Sequence, residues 1–240
     1  MVKRAQAGYL GLITFMDDQV GKVIAALDDT GLSSTARIAY TSDHGDNMGN
    51  RGLWGKSVMY EEAVAVPMII AGPDIPEGRL VKAPCTILDL YPFIIDCAGE
   101  RDAETLTADH SDASVTDLIA EDAPDRIAFS QYHAMGSQTA AYMVRKGPHK
   151  IIYYAAHPTQ YFNLDDDPEE LNDRGSDPAT QQIIEALVAE LFTICDPKEI
   201  DARAKADQVR MIGEFGGKDA IIERGDLGFS VPPGEKPMFD

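Results

Sequence analysis

Apolar residues recur at helical spacing near the start of the chain. Leu10, Ile13, Val20, Val23, Ile24 and Leu27 fall on one face and predict an amphipathic helix over 5–29, with Gly31 as its stop signal. Arg37-Ile38-Ala39-Tyr40-Thr41 is then a short β-type run that ends at the polar Ser42-Asp43-His44-Gly45. Residues 45–60, rich in Gly, Asn and polar types, read as a loop, and Val66-Pro67-Met68-Ile69-Ile70-Ala71 as a buried strand with its proline near the start. Pro73, Pro76 and Gly78 mark a turn, 87–98 reads as a helix stopped at Gly99, and 100–125 is an acidic, weakly patterned surface connection.

The pattern changes after 125. Four short strand candidates (126–132, 140–145, 150–154 and 160–164) lie close enough together to predict an antiparallel meander. An amphipathic helix over 179–192 and a more polar one over 197–212 follow, and the Gly- and Pro-rich tail beyond Gly213 is expected to be extended. The chain therefore divides into an α/β portion (1–125), an α+β portion (126–215) and a tail (216–240). The first portion offers one long helix and only two strands apolar enough for the centre of a sheet. Central strands need neighbours on both edges, so this portion is expected to be part of a larger sheet, and the strands near 37–41 and 66–71 to present an open edge or apolar face that invites association.

Composition narrows the function classes. The 240 residues are 44% hydrophobic, enough for a core. Lys plus Arg is 21 against 40 Asp plus Glu, a formal charge of −19 that repels phosphate backbones and argues against nucleic-acid binding. The acidic run at Asp165-Asp166-Asp167 and Glu169-Glu170 is expected to be a solvated surface. Cys85, Cys97 and Cys195 are widely spaced, which argues against a disulfide framework or zinc site and for buried free thiols in a reducing compartment. No apolar run has transmembrane length and no signal-peptide pattern opens the chain, so a cytoplasmic location is expected, or a periplasmic one if a signal peptide lies upstream in a parent protein.

The candidate chemistry sits after the first strand, where open α/β sheets bind ligands. Asp43 offers a hard oxygen ligand and His44 an imidazole nitrogen, and Gly45 gives the backbone freedom to turn both toward one cation. A dozen residues on, Arg51-Gly52-Leu53-Trp54-Gly55-Lys56 supplies an ammonium suited to a sulfate or phosphate oxygen. Taken singly, the first motif reads more readily as an Asx-type turn with a solvated histidine, and the second as a surface lysine beside a packed tryptophan.

Their order along the chain resembles the sulfatase family. Ser42-Asp43-His44-Gly45-Asp46-Asn47-Met48-Gly49, the Gly52 to Lys56 run, Met59-Tyr60-Glu61-Glu62 and Val66-Pro67 follow a helix similar to the family's "mDxqvGxvlxaL" segment. Ile87-Leu88-Asp89-Leu90-Tyr91-Pro92 resembles its "D-L-x-P-T" helix start. Lys150 to Ile152, Gln160-Tyr161-Phe162-Asn163-Leu164 and Asp167-Pro168-Glu169-Glu170-Leu171-Asn172-Asp173 resemble its late signature. The likeness covers about 5–195 and is nearest in texture to the bacterial arylsulfatase and choline-sulfatase branch.

The resemblance implies part of an alkaline-phosphatase-like α/β sheet flanked by helices, then a small four-stranded antiparallel sheet with C-terminal helices, the whole being the C-terminal part of such an enzyme. It implies a divalent metal held by Asp43 and His44 (Ca2+, with Mn2+ as the alternative an imidazole favours), Lys56 on the ester's non-bridging oxygens, and His133, near the mouth of the site, as a substrate contact. The implied parent activity is sulfuric ester hydrolysis on a small substrate, or hydrolysis of a phosphonate or phosphate ester. The family's nucleophile motif, C/S-x-P/A-x-R, surrounds none of the three cysteines, and the early Asp-Asp metal pair is absent. The chain alone is therefore expected to be inactive: a non-catalytic truncated product, one half of a split enzyme that needs an N-terminal partner chain, or a homo-oligomer.

Overall fold

A computed structural model describes residues 2–99, 114–134 and 137–225. The first element is a 28-residue helix, α1 (Val2–Asp29), about 42 Å long. Gly31 ends it with φ 73°, in the left-handed region that a Cβ disfavours. Strand β1 (Ile38–Thr41) runs antiparallel to β4 (Met68–Ala71), with Ile38 opposite Ala71 and Thr41 opposite Met68. Between them, the stretch expected to be loop carries a two-residue hairpin, β2 (Asn47–Met48) with β3 (Trp54–Gly55), and the single turn α2 (Glu61–Val64). The predicted 87–98 helix is α3 (Leu90–Ala98), entered through a 3-10 turn capped by Thr86 and Asp89. Of the expected acidic connection, 100–113 lies outside the described residues and Val115–Ala120 forms α4.

The strand read as buried is half-exposed: β4 alternates partly buried and exposed positions, and Ile69 is 58% exposed. Among the described residues it pairs only with β1, and nothing covers its outer face. Helix α1 buries no residue at all; Leu10, Leu12, Ile13, Phe15, Met16, Val23 and Ile24 all face solvent.

The second portion follows the predicted meander. Strands β5 (Ile127–Tyr132), β6 (Ala141–Lys146), β7 (His149–Tyr154) and β8 (His157–Asn163) form an antiparallel sheet in sequence order. Side chains alternate across it. Tyr142, Val144, Ile151 and Tyr161 point to one face, where Ile184, Leu187 and Leu191 of α5 (Gln181–Ile194) pack on them. Met143, Ile152 and Phe162 point to the other, where Met59, Tyr60 and Val64 pack. So the α2 segment of the first portion is the second lid of the small sheet. Helix α6 (Pro197–Glu214) is capped by Asp196, which accepts from the backbone N–H groups of Lys198 and Glu199. The expected extended tail is helical over α7 (Lys218–Arg224); 226–240 lies outside the described residues.

Two composition-based expectations need correction. The cysteines are free, but Cys85 and Cys97 are exposed and Cys195 is half-buried. The acidic run is not uniformly solvated: Glu170 is 2% exposed, and Asp167 and Asp173 accept backbone N–H groups that shape the loop.

Candidate active site

Strand β1 ends at Thr41, and the next residues fold back on themselves. Ser42 Oγ donates to the carbonyl of His44, and Asp43 Oδ1 accepts the His44 N–H at 2.9 Å. The Gly45 N–H donates to Ala63 O at 2.9 Å. The backbones approach so closely here that a Cβ on Gly45 would sit 2.1 Å from Glu62 O, which explains glycine at this turn. The β2–β3 hairpin then brings the chain back. The buried Asn47 donates its side-chain amide to Gly55 O at 2.8 Å, and this fixes the strand that delivers Lys56.

The result is a convergence of three groups. Asp43 Oδ2 lies 3.2 Å from His44 Nε2, and Lys56 Nζ lies 2.5 Å from that same nitrogen. His44 Nδ1 is 3.0 Å from Gly45 O, a contact that a ring proton on Nδ1 satisfies. That leaves Nε2 unprotonated, an acceptor for the lysine ammonium and a potential metal ligand once the lysine turns away. Desolvation pushes the Asp43 carboxyl up, but the hydrogen bonds from the His44 N–H and the Ser42 hydroxyl act against it, and it ionises below the ordinary aspartate range.

Two donor atoms 3.2 Å apart match the separation of neighbouring ligands on one cation whose bonds run about 2.0–2.5 Å. The pair thus fits two vertices of a divalent site. No third His, Cys, Asp or Glu joins it among the described residues.

These groups open onto a cleft of about 740 Å³ between the two portions of the chain. One wall is formed by 57–66, the other by 81–88 and β5. The Tyr132 hydroxyl donates across it to Ser57 Oγ at 2.9 Å. His133 is placed elsewhere. Its ring meets Tyr142 edge-on, with centroids 5.3 Å apart, on the α5 side of the sheet. Its Nε2 reaches Gln131 Oε1, its Nδ1 is buried without a hydrogen bond, and burial lowers its pKa. The neighbouring Tyr132 lines the cleft in its stead.

Sequence reading missed the charged groups behind the site: Glu61, Lys150 and Glu170. The signal was a lysine directly before the run Ile151-Ile152-Tyr153-Tyr154, where a strand that buries its side chains would make an unpaired ammonium costly.

Comparison with known proteins identifies the family and the fold. Residues 3–100 match the sulfatase family model. The choline-sulfatase of Rhizobium meliloti is 32% identical over 214 residues, which is 87% of this chain and 41% of that protein. Arylsulfatase K of Danio rerio is 34% identical over 182 residues, 73% of this chain and 34% of its own length. A solved phosphonate monoester hydrolase from Silicibacter pomeroyi superposes with a TM-score of 0.68 at 27% identity, covering 80% of this chain and 41% of that one. The fold is that of the alkaline-phosphatase-like superfamily. Within it, the chain belongs to the sulfatase family. It spans about a third to two-fifths of the length of the curated relatives it matches. Among the described residues, no helix is long and apolar enough to cross a membrane.

Proposed function

We propose that this chain carries the late part of a sulfuric ester hydrolase site: a metal-binding pair, Asp43 and His44, and an ester-contacting cation, Lys56. The observation that carries the reading is the meeting of Asp43 Oδ2, His44 Nε2 and Lys56 Nζ at the mouth of a cleft. Asp43 and His44 would hold a divalent ion, Ca2+ or Mn2+, which supplies Lewis acidity when bound. Asp43 is held ionised for that role, and the Gly45 carbonyl orients the imidazole. Lys56 would turn its ammonium from His44 to a non-bridging oxygen of the ester and stabilise the charge that builds there as the bond to the leaving oxygen breaks.

No nucleophile is assigned in these residues, because none of the three cysteines stands in the family's C/S-x-P/A-x-R context. The attacking group and the remaining ligands are proposed to come from further polypeptide, in a parent chain or a partner. The same constellation serves a phosphonate or phosphate ester equally, a second reading favoured by the likeness to the phosphonate monoester hydrolase. We assign no substrate contact to His133, whose ring is engaged with Tyr142.

The test is calorimetric titration of the 240-residue chain with Mn2+ and Ca2+, beside assays with chromogenic sulfate and phosphonate esters. Weak metal binding, in the sub-millimolar range and lost in Asp43→Ala, is expected, with no turnover above background. Absence of any Asp43-dependent binding would sink the metal assignment. Turnover lost on Asp43→Ala would overturn the expectation of inactivity.

A further inference from the structure

Lys150 is the second residue of β7, just before Ile151 and Ile152, and its side chain is completely buried. It faces away from α5, on the side of Ile152 and toward α2. Its Nζ lies 2.7 Å from Glu61 Oε1 and 2.7 Å from Glu170 Oε1, an ion pair with each. The Glu170 side chain is also fully buried, and its Oε2 accepts the backbone N–H of Glu61 at 2.6 Å. Arg145 Nη1 closes the group on Glu61 Oε2 at 3.2 Å. Two cations and two anions thus balance at the seam between α2 and the small sheet.

A second tie lies at the other end of the same segment. The Arg51 guanidinium pairs with Glu62, donates to the carbonyl of Glu169 and lies 4.1 Å over the Tyr60 ring. Glu169 and Glu170 therefore grip both ends of 51–62, and Lys56 sits between the grips. Glu170 itself has φ 51°, an unfavourable backbone for a residue with a side chain, held in place by these contacts.

Burying three or four charges is an inefficient way to gain stability, since well-packed apolar residues of similar size commonly do as well or better. Such a network does specify one register between the parts it joins. We infer that Lys150, with Glu61 and Glu170, is a positioning device. It fixes the loop that carries Lys56 against the β5–β8 sheet, and so sets where the ammonium stands relative to Asp43 and His44. The chemical purpose of that placement rests on the ester-hydrolase reading above; the fixing of the loop does not.

The chain holds a local reporter. Trp54, its only tryptophan, lies two residues from Lys56 and is 51% exposed. Hydrogen exchange by mass spectrometry, with acrylamide quenching of Trp54, compares wild type with Lys150→Met and with the milder Glu170→Gln. The expected result is exchange about tenfold faster in 51–64 and easier quenching of Trp54, while 141–163 keeps its protection. Unchanged exchange in 51–64 in a folded variant overturns the inference. So does loss of protection in step across 51–64 and 141–163 in both variants, since the network would then serve general stability. If Lys150→Met does not fold, Glu170→Gln decides alone. Failure of metal binding by the wild-type chain would remove the ester-hydrolase reading and leave this result standing.

Discussion

The small sheet with α5 and the region before it both carry amphipathic elements, yet they end in opposite states. Strands β5–β8 bury both faces: α5 covers one and the Met59–Val64 segment the other, leaving Tyr142, Val144, Ile151 and Ile152 fully buried. Helix α1 is as amphipathic as α5 but buries nothing, and β1 and β4 pair only with each other among the described residues. Amphipathic patterning specifies a face that wants a partner; it does not supply one. The stability of this chain should therefore be concentrated in 127–195.

Two truncations put that contrast to the sharpest test. Leu191→Ala, at a fully buried α5 position, is expected to cost about 2–5 kcal/mol in urea unfolding. Ile13→Ala, at a 44% exposed position on α1, is expected to cost less than about 0.5 kcal/mol. Comparable losses at the two sites would mean that α1 is packed in solution against something the isolated chain does not show. Next in size is an effect on association. The row of exposed apolar side chains on α1 is the kind of surface that draws a partner, as is the half-exposed β4. Sedimentation velocity of the wild-type chain should give self-association that the double substitution Leu10→Glu and Ile13→Glu reduces by about tenfold or more in Kd. A monodisperse wild-type monomer with cooperative unfolding would contradict this.

Legibility in the sequence divides along the same line. The four-strand meander, α1, α5 and the polar turn after β1 could be read because each depends on local periodicity or on a stop residue such as Gly31 or Gly99. Asp43, His44 and Lys56 were found as an ordered motif, and the β2–β3 hairpin brings Lys56 to His44 across twelve positions. The burial of β4 was misread because its apolar run says nothing about what covers it. Glu170 was misread as solvated because its partners Glu61 and Lys150 are 109 and 20 residues away, beyond any local window. His133 sat one residue from a cleft position, and a period of two sends its ring to the other face.

The smallest expected effect bears on how firmly α6 belongs to the stable unit. Asp201 accepts the Ala140 N–H at 2.9 Å and the Lys205 ammonium at 2.7 Å, joining α6 to the start of β6. Partial burial pushes its carboxyl up, but Lys205 and the Ala140 N–H outweigh that, so its pKa in the folded chain lies below the ordinary aspartate value of 3.8. A carboxyl depressed in the folded state adds stability that is present above its unfolded pKa and lost as pH falls through its folded one. The Asp201 contribution, on the order of 0.5 kcal/mol for a partly exposed pair, is thus expected to be intact at pH 5 and to fade below about pH 4. Hydrogen exchange of the Ala140 amide, followed by NMR from pH 6 to 3 and corrected for intrinsic rates, should show protection falling in that window. Asp201→Asn should lower the protection at pH 5 and flatten its pH dependence. An unchanged profile in the variant would mean that α6 is held to the sheet by Tyr142, whose hydroxyl donates to Pro197 O at 2.7 Å, and that Asp201 only decorates the joint.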